Sequence, residues 1–191
     1  CAIQEFTVEG EKTYWGDKCS DRFRKRSRAT KAPVIEDLVA YRLQRLLGDD
    51  SLPVPPAGAP RVGIPLTMFA WEQLPFWRTL FAHLGFEVVL SDETNKKIIT
   101  SGLQTVVAEP CFPIIVAHGH VANLAEKRVD YIFLPNVLSR ETQWMDNESH
   151  LCPWHQTLPF VVRRAAGISD HANKFLAPLV PFREGRKVVR R

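Results

Sequence analysis

Four cysteines, at positions 1, 19, 111 and 152, are the residues of this chain best suited to chemistry. Cys111 stands in Glu109-Pro110-Cys111-Phe112-Pro113 and Cys152 in Leu151-Cys152-Pro153-Trp154, so each thiol comes just before a proline able to open a helix. A thiol beside a helix start meets partial positive charge, which favours the anionic form that binds metals. The competing reading is a small buried side chain, since free cysteine is among the most buried residue types. Cys1 and Cys19 frame an expected hairpin, in which Ile3, Phe6 and Val8 lead into a turn at Glu9-Gly10-Glu11 and Thr13-Tyr14-Trp15 return. A hairpin brings its ends together, and Gly16-Asp17 supplies a turn just before Cys19. Two thiols make half of a tetrahedral metal site, whose other half would lie upstream. The alternative is a pair of unlinked surface cysteines.

Histidines add a second set of candidates. His118 and His120 lie two apart, which on a helix places them on different faces, so they are not expected to ligate one metal together. One is read as packing or hydrogen-bonding beside a metal group, against the alternative of a satisfied core histidine. His155 and Gln156 follow Cys152 within a turn and could line the same pocket. No residue is expected to serve as a catalytic acid or base, and no phosphate-cradling glycine loop of the P-loop kind occurs.

The elements that must position these residues follow from apolar patterning. Residues 20–32 are polar and basic. Pro33 then opens a helix whose apolar stripe is Val34, Leu38, Tyr41, Leu43, Leu46 and Leu47, stopped by Gly48. Residues 49–60, rich in Pro and Gly, form a linker. The expected organisation is therefore a Cys hairpin, basic segment and helix over 1–48, the linker, and an α/β domain over 61–191. Within that domain strands are expected at 61–64, 86–90, 105–108 and 130–134. Helices are expected at 71–84 (kinked or begun at Pro75), 95–101, 113–127 and 153–166, with a polar loop over 136–151. Such alternation implies a Rossmann- or flavodoxin-like parallel sheet of four to five strands, covered on both faces, in the order 2-1-3-4. Ligands bind such sheets beyond the carboxyl ends of the strands, at the point where strand order reverses. On this reading Cys111 follows a buried strand at 105–108, and both it and Cys152 reach the ligand-binding rim. Trp71, Phe76 and Trp77 are expected to build the core.

Composition bounds the class. The 191 residues are 45% hydrophobic and 24% charged, enough for one medium domain with a small appendage. No apolar run approaches the roughly 20 residues of a membrane span, and nothing resembles a signal peptide, so a cytoplasmic setting without a disulfide framework is expected. A net charge of +4 gathers at 22–28 and 183–191. These clusters are read as a solvated face or a join to a neighbour rather than a nucleic-acid surface. A chain beginning at Cys1 reads as a piece of a longer protein.

The runs VGIPLTMFAWEQLPFWRTLFAHLGFEVVLSDETNKKI, EPCFPIIVAHGHVANL, VDYIFLPNV and CPWHQTLPFV resemble the CoA-substrate-specific enzyme activases. These large proteins are related to activators of 2-hydroxyacyl-CoA dehydratases, and the resemblance is to the dehydratase-like domain that follows their ATPase portion. It extends to the leading segment with GDKCSDRFRKR. The resemblance implies low-potential electron transfer through iron–sulfur clusters, driven by ATP in a separate ATPase domain. It implies a 4Fe–4S cluster held by Cys111 and Cys152 with a further cysteine from beyond Arg191. Cys1 and Cys19 would end a second four-cysteine set. Implied partners are the ATPase and downstream domains of the same longer protein and a CoA-thioester enzyme or redox partner, with metal absent or incomplete in this piece. The alternative function is a non-catalytic ligand- or partner-binding module that uses the strand-end rim, with the basic clusters contacting phosphate.

Overall fold

The computed structural model describes residues 4–15, 35–48, 52–140 and 149–182. The chain divides into two compact units, Cys1–Arg42 and Leu43–Arg191. In the first, β1 (Gln4–Val8) pairs antiparallel with β2 (Glu11–Trp15). Glu9 and Gly10 both adopt positive φ, 51° and 82°, the backbone of a two-residue hairpin turn whose twist matches that of the strands. The expected hairpin is therefore present. Cys1, Cys19 and the basic segment 22–28 lie outside the described residues.

Helix α1 (Leu38–Leu47) starts where Asp37 Oδ1 accepts hydrogen bonds from Val39 N and Ala40 N, both at 3.0 Å, satisfying donors that a helix start leaves orphaned. Its other end is closed within the second unit. Arg78 Nη1 donates to Leu46 O at 3.2 Å and to Leu47 O at 2.8 Å. No residue of α1 is fully buried, but Leu43, Leu46 and Leu47 of the expected apolar stripe are half-buried and Leu47 packs against the core, whereas Leu38 and Tyr41 are exposed.

The second unit runs β3 (Arg61–Ile64), α2 (Ala70–His83), β4 (Glu87–Leu90), α3 (Lys96–Thr105), α4 (Phe112–Glu126), β5 (Tyr131–Phe133), β6 (Asn136–Ser139), α5 (Pro153–Val162), a 3-10 turn (Ser169–Lys174), β7 (Phe175–Leu176) and β8 (Leu179–Pro181). Four strands form a parallel sheet in the order β4-β3-β5-β7, and β6 pairs with β8 in a small parallel sheet of its own. In chain order the main sheet reads 2-1-3-4, a parallel α/β arrangement as expected.

The identity of its third strand differs from the expectation. Residues 105–108 are not a strand: Thr105 ends α3, and Val107, 80% exposed, lies in the connection to α4. A four-residue apolar run does not by itself distinguish a strand from a helix end. Asn95 caps α3 by accepting from Ile98 N at 3.1 Å, and Thr105 closes it by donating its hydroxyl to Ser101 O and Gly102 O. Two glycines then let α3 and α4 meet. A Cβ at Gly102 would fall 2.1 Å from Ile115 O, and one at Gly119 would fall 2.0 Å from Ile98 O. The path from β4 to β5 is therefore a helical hairpin, and Cys111 follows a helix-to-helix connection rather than a strand. The region read as a polar loop contains β6, and β7 and β8 come from a stretch whose patterning gave no strand.

Val62, Ile64, Ile132 and Phe133 of the sheet meet Leu74, Trp77 and Phe81 of α2, Ile114, Ala117, Val121 and Leu124 of α4, and Leu158 and Val162 of α5. Aromatic rings gather on Phe133, with centroids of Trp77 at 4.6 Å and Phe81 at 4.9 Å. Trp77 is core as expected. Phe76 is not, since its place on the helix turns it outward and leaves it 55% exposed. Pro75 neither begins nor ends α2, which passes through it.

Candidate functional site

The two described thiols are built alike. Cys111 is the N-cap of α4 and Cys152 the N-cap of α5, both in extended backbone and both exposed. Pro113 and Pro153 sit in the first helical turn, where a missing N–H costs nothing. Cys152 Sγ accepts a hydrogen bond from His155 N at 3.4 Å, whereas Cys111 makes no side-chain cap.

Contacts along α4 place its thiol. Near its end, Lys127 O accepts from Arg61 Nη1, at the start of β3. About two turns earlier, His120 meets Ser91, just past the end of β4. Helix α4 thus runs against the strands, and its first half extends past their carboxyl edge. Cys111, nine residues ahead of His120, lies about 13 Å further along the axis at 1.5 Å per residue. Cys152 is also on the carboxyl side, because Leu151 N beside it donates to Leu138 O of β6, the strand into which the chain runs from the carboxyl end of β5. Glu72 belongs to the first turn of α2, which leaves the carboxyl end of β3.

The histidines separate into different roles. His120, fully buried, has Nδ1 2.8 Å from Ser91 Oγ and Nε2 3.0 Å from Thr94 Oγ1, while Leu66 N donates to that same Ser91 Oγ at 2.8 Å. Burial lowers its pKa to about 4, against a smaller raising effect from Asp92. His118 Nδ1 donates to Ile114 O at 2.9 Å, which leaves Nε2 as a buried acceptor with no partner among the described residues. Burial lowers its pKa too, partly offset by that hydrogen bond. His155 is buried, with its Nε2 likewise unpartnered, and burial then Arg140 push its pKa down while Glu72 pulls the other way. Gln156 Nε2 donates to Leu151 O. Beside His120, Asp92 and Asn123 exchange hydrogen bonds, and Lys127 Nζ lies 2.7 Å from Asp92 Oδ1. That ion pair and the Asn123 bond hold the Asp92 carboxyl below its usual range.

Sequence reading missed a cleft of about 360 Å³ lined by Glu72, Gln73, Phe76, Arg140 and Phe182. It lies where strand order reverses, between the chain leaving β3 and the chain that continues from β5 through β6. Glu72 Oε2 and Arg140 Nη2 form an ion pair there. The available signal was the polar pair Glu72-Gln73 in the helix after the first strand, at the position where such sheets bind ligands.

Among the described residues no group of three or more His, Cys, Asp or Glu is placed to hold a metal ion, and no helix is long and apolar enough to cross a membrane. Fold and site together define a parallel α/β domain with two cysteine-capped helices on the carboxyl side of its sheet. The chain belongs to the family described as the CoA enzyme activase uncharacterised domain, whose model matches residues 61–191. No curated protein and no solved structure matches the chain.

Proposed function

We propose that this domain is the iron–sulfur-associated module of an ATP-dependent activase or reductase, and that Cys111 and Cys152 hold its 4Fe–4S cluster. The observation that carries this reading is the repeated construction: two exposed thiols, each the N-cap of a helix on the carboxyl side of the sheet. Family membership gives the setting. The donor chemistry fits, because iron–sulfur clusters are held by cysteine thiolates and tuned by hydrogen bonds to sulfur, and Cys152 Sγ already accepts one from His155 N. A third cysteine for this cluster comes from beyond Arg191.

The cluster supplies one-electron chemistry when bound. The chain's own residues hold and orient it. Each thiol stands at the N-cap position of a helix, and the Cys152 sulfur is held there by its hydrogen bond from His155 N, while His118, His120, His155 and Gln156 belong to the packing behind. The reading divides the chain into a Cys-bearing segment over 1–48, a linker over 49–60 and the cluster module over 61–191. Cys1 and Cys19 end a second ligand set there. ATP is hydrolysed in a separate domain of the longer protein, and the partner is a CoA-thioester enzyme or a redox protein of the cytoplasm.

The test is purification of the longer protein without oxygen. A cluster module is brown and carries iron and acid-labile sulfide in equal amounts. A colourless, iron-free protein that cannot be reconstituted leaves only the ligand-binding alternative, which the cleft favours.

A further inference from the structure

We propose that the cleft between α2 and Arg140 is a second binding site, independent of any cluster, for a neutral planar group that presents a carboxamide-type edge: a carbonyl oxygen beside an N–H. The cleft takes residues from both chain segments that flank the reversal of strand order, where open parallel sheets bind ligands. Its volume, about 360 Å³, falls at the small end of the roughly 300–1,000 Å³ typical of ligand sites.

Charge selects the ligand class. Glu72 already neutralises Arg140 through a single contact, Oε2 to Nη2. An incoming carboxylate or phosphate would gain no net attraction and would sit beside the Glu72 carboxylate, which repels it. A neutral amide edge meets both partners, its carbonyl accepting from the guanidinium and its N–H donating to Glu72. The guanidinium has hydrogen bonds left to make, since it carries several donors and Nε is buried without a partner among the described residues. Buried polar groups in native proteins are nearly always satisfied, so this orphan at the cleft asks for a bound group or ordered water.

The walls favour a flat ligand. Phe76 and Phe182 line the cleft, with Trp77 behind them at centroid distances of 4.7 and 6.3 Å. Aromatic faces take planar rings by offset or edge contacts. Gln73 Oε1 accepts from Trp77 Nε1 at 3.1 Å, which leaves its NH2 as a further donor to a ligand acceptor.

Nicotinamide, guanosine and nicotinate, titrated separately into the 191-residue chain and followed by saturation-transfer NMR and by the Arg140 Nε–H resonance, test this. Saturable binding of nicotinamide alone identifies a simple carboxamide ligand, and binding of guanosine identifies a nucleobase edge; either supports the site, provided nicotinate binds at least tenfold more weakly. Glu72→Gln removes the neutralising charge and should reverse the order, weakening nicotinamide about tenfold while strengthening nicotinate. Arg140→Lys, which keeps the charge but loses the fork, should weaken nicotinamide similarly. Unchanged thermal melting of both variants shows that they fold. The proposal is overturned by no saturable response to any of the three, by nicotinate binding wild type as well as nicotinamide, or by Glu72→Gln leaving both affinities unchanged.

Discussion

His120 has a hydroxyl at each ring nitrogen and no exposed surface, so its neutral form is the one that fits. Its folded pKa of about 4 lies below the ordinary 6.5. As pH falls below 6.5 the unfolded chain takes up the proton first. The stabilisation is therefore whole above about pH 6.5, declines as pH falls, and is gone below about 4. The size is on the order of 3 kcal/mol. His118, lowered in the same direction, adds to the slope. Urea midpoints measured between pH 7 and pH 4 should fall steeply for wild type and much less for His120→Gln; equal slopes would remove His120 as the cause. Two positions in sequence separate these histidines onto different helix faces, but nothing in the sequence said which would find partners. Ser91 and Thr94 satisfy His120 from elements that fold beside it, and such long-range pairing has no local signature.

At the scale of elements, the helical hairpin α3–α4 rests on Gly102 and Gly119. A methyl group at either would lie about 2 Å from a backbone carbonyl oxygen of the facing helix, and backbone cannot step aside as a side chain can. Gly102→Ala and Gly119→Ala should each cost about 3 kcal/mol or more, at the upper end of overpacking penalties. Gly63→Ala should cost less, since it meets Leu124 and Val129 side chains at 3.0–3.2 Å. Denaturant unfolding of the three variants checks the order, and equal losses would mean that the helices can move apart. The same glycines explain why residues 105–108 misread as a strand. The β-branched run Thr105-Val106-Val107 has the residue types of a core strand, while the signal for a helix pair sits in two small residues whose meaning depends on their facing partners. Helices with strong end signals were legible: Asn95 caps α3, Gly85 follows α2, and proline opens α4 and α5. Strands β6, β7 and β8, only two to four residues long, carry too little periodicity to be read.

For the whole molecule, the parallel sheet places two kinds of chemistry on its carboxyl side: exposed thiols at helix starts and a neutral polar cleft with aromatic walls. The strand order was legible from the alternation of apolar runs although one strand was misassigned, because right-handed crossovers leave few arrangements. The cleft was not legible, since Glu72 and Arg140 are far apart in sequence and only the reversal of strand order joins them. The thiols stood out because each precedes a helix-opening proline. The cluster-holding role proposed for them is tested most directly by counting iron in the anaerobically reconstituted longer protein alongside its Cys111→Ser and Cys152→Ser variants. Each single substitution should lower bound iron well below the parent's. Iron content unchanged in both variants would contradict the assignment of these cysteines to a cluster.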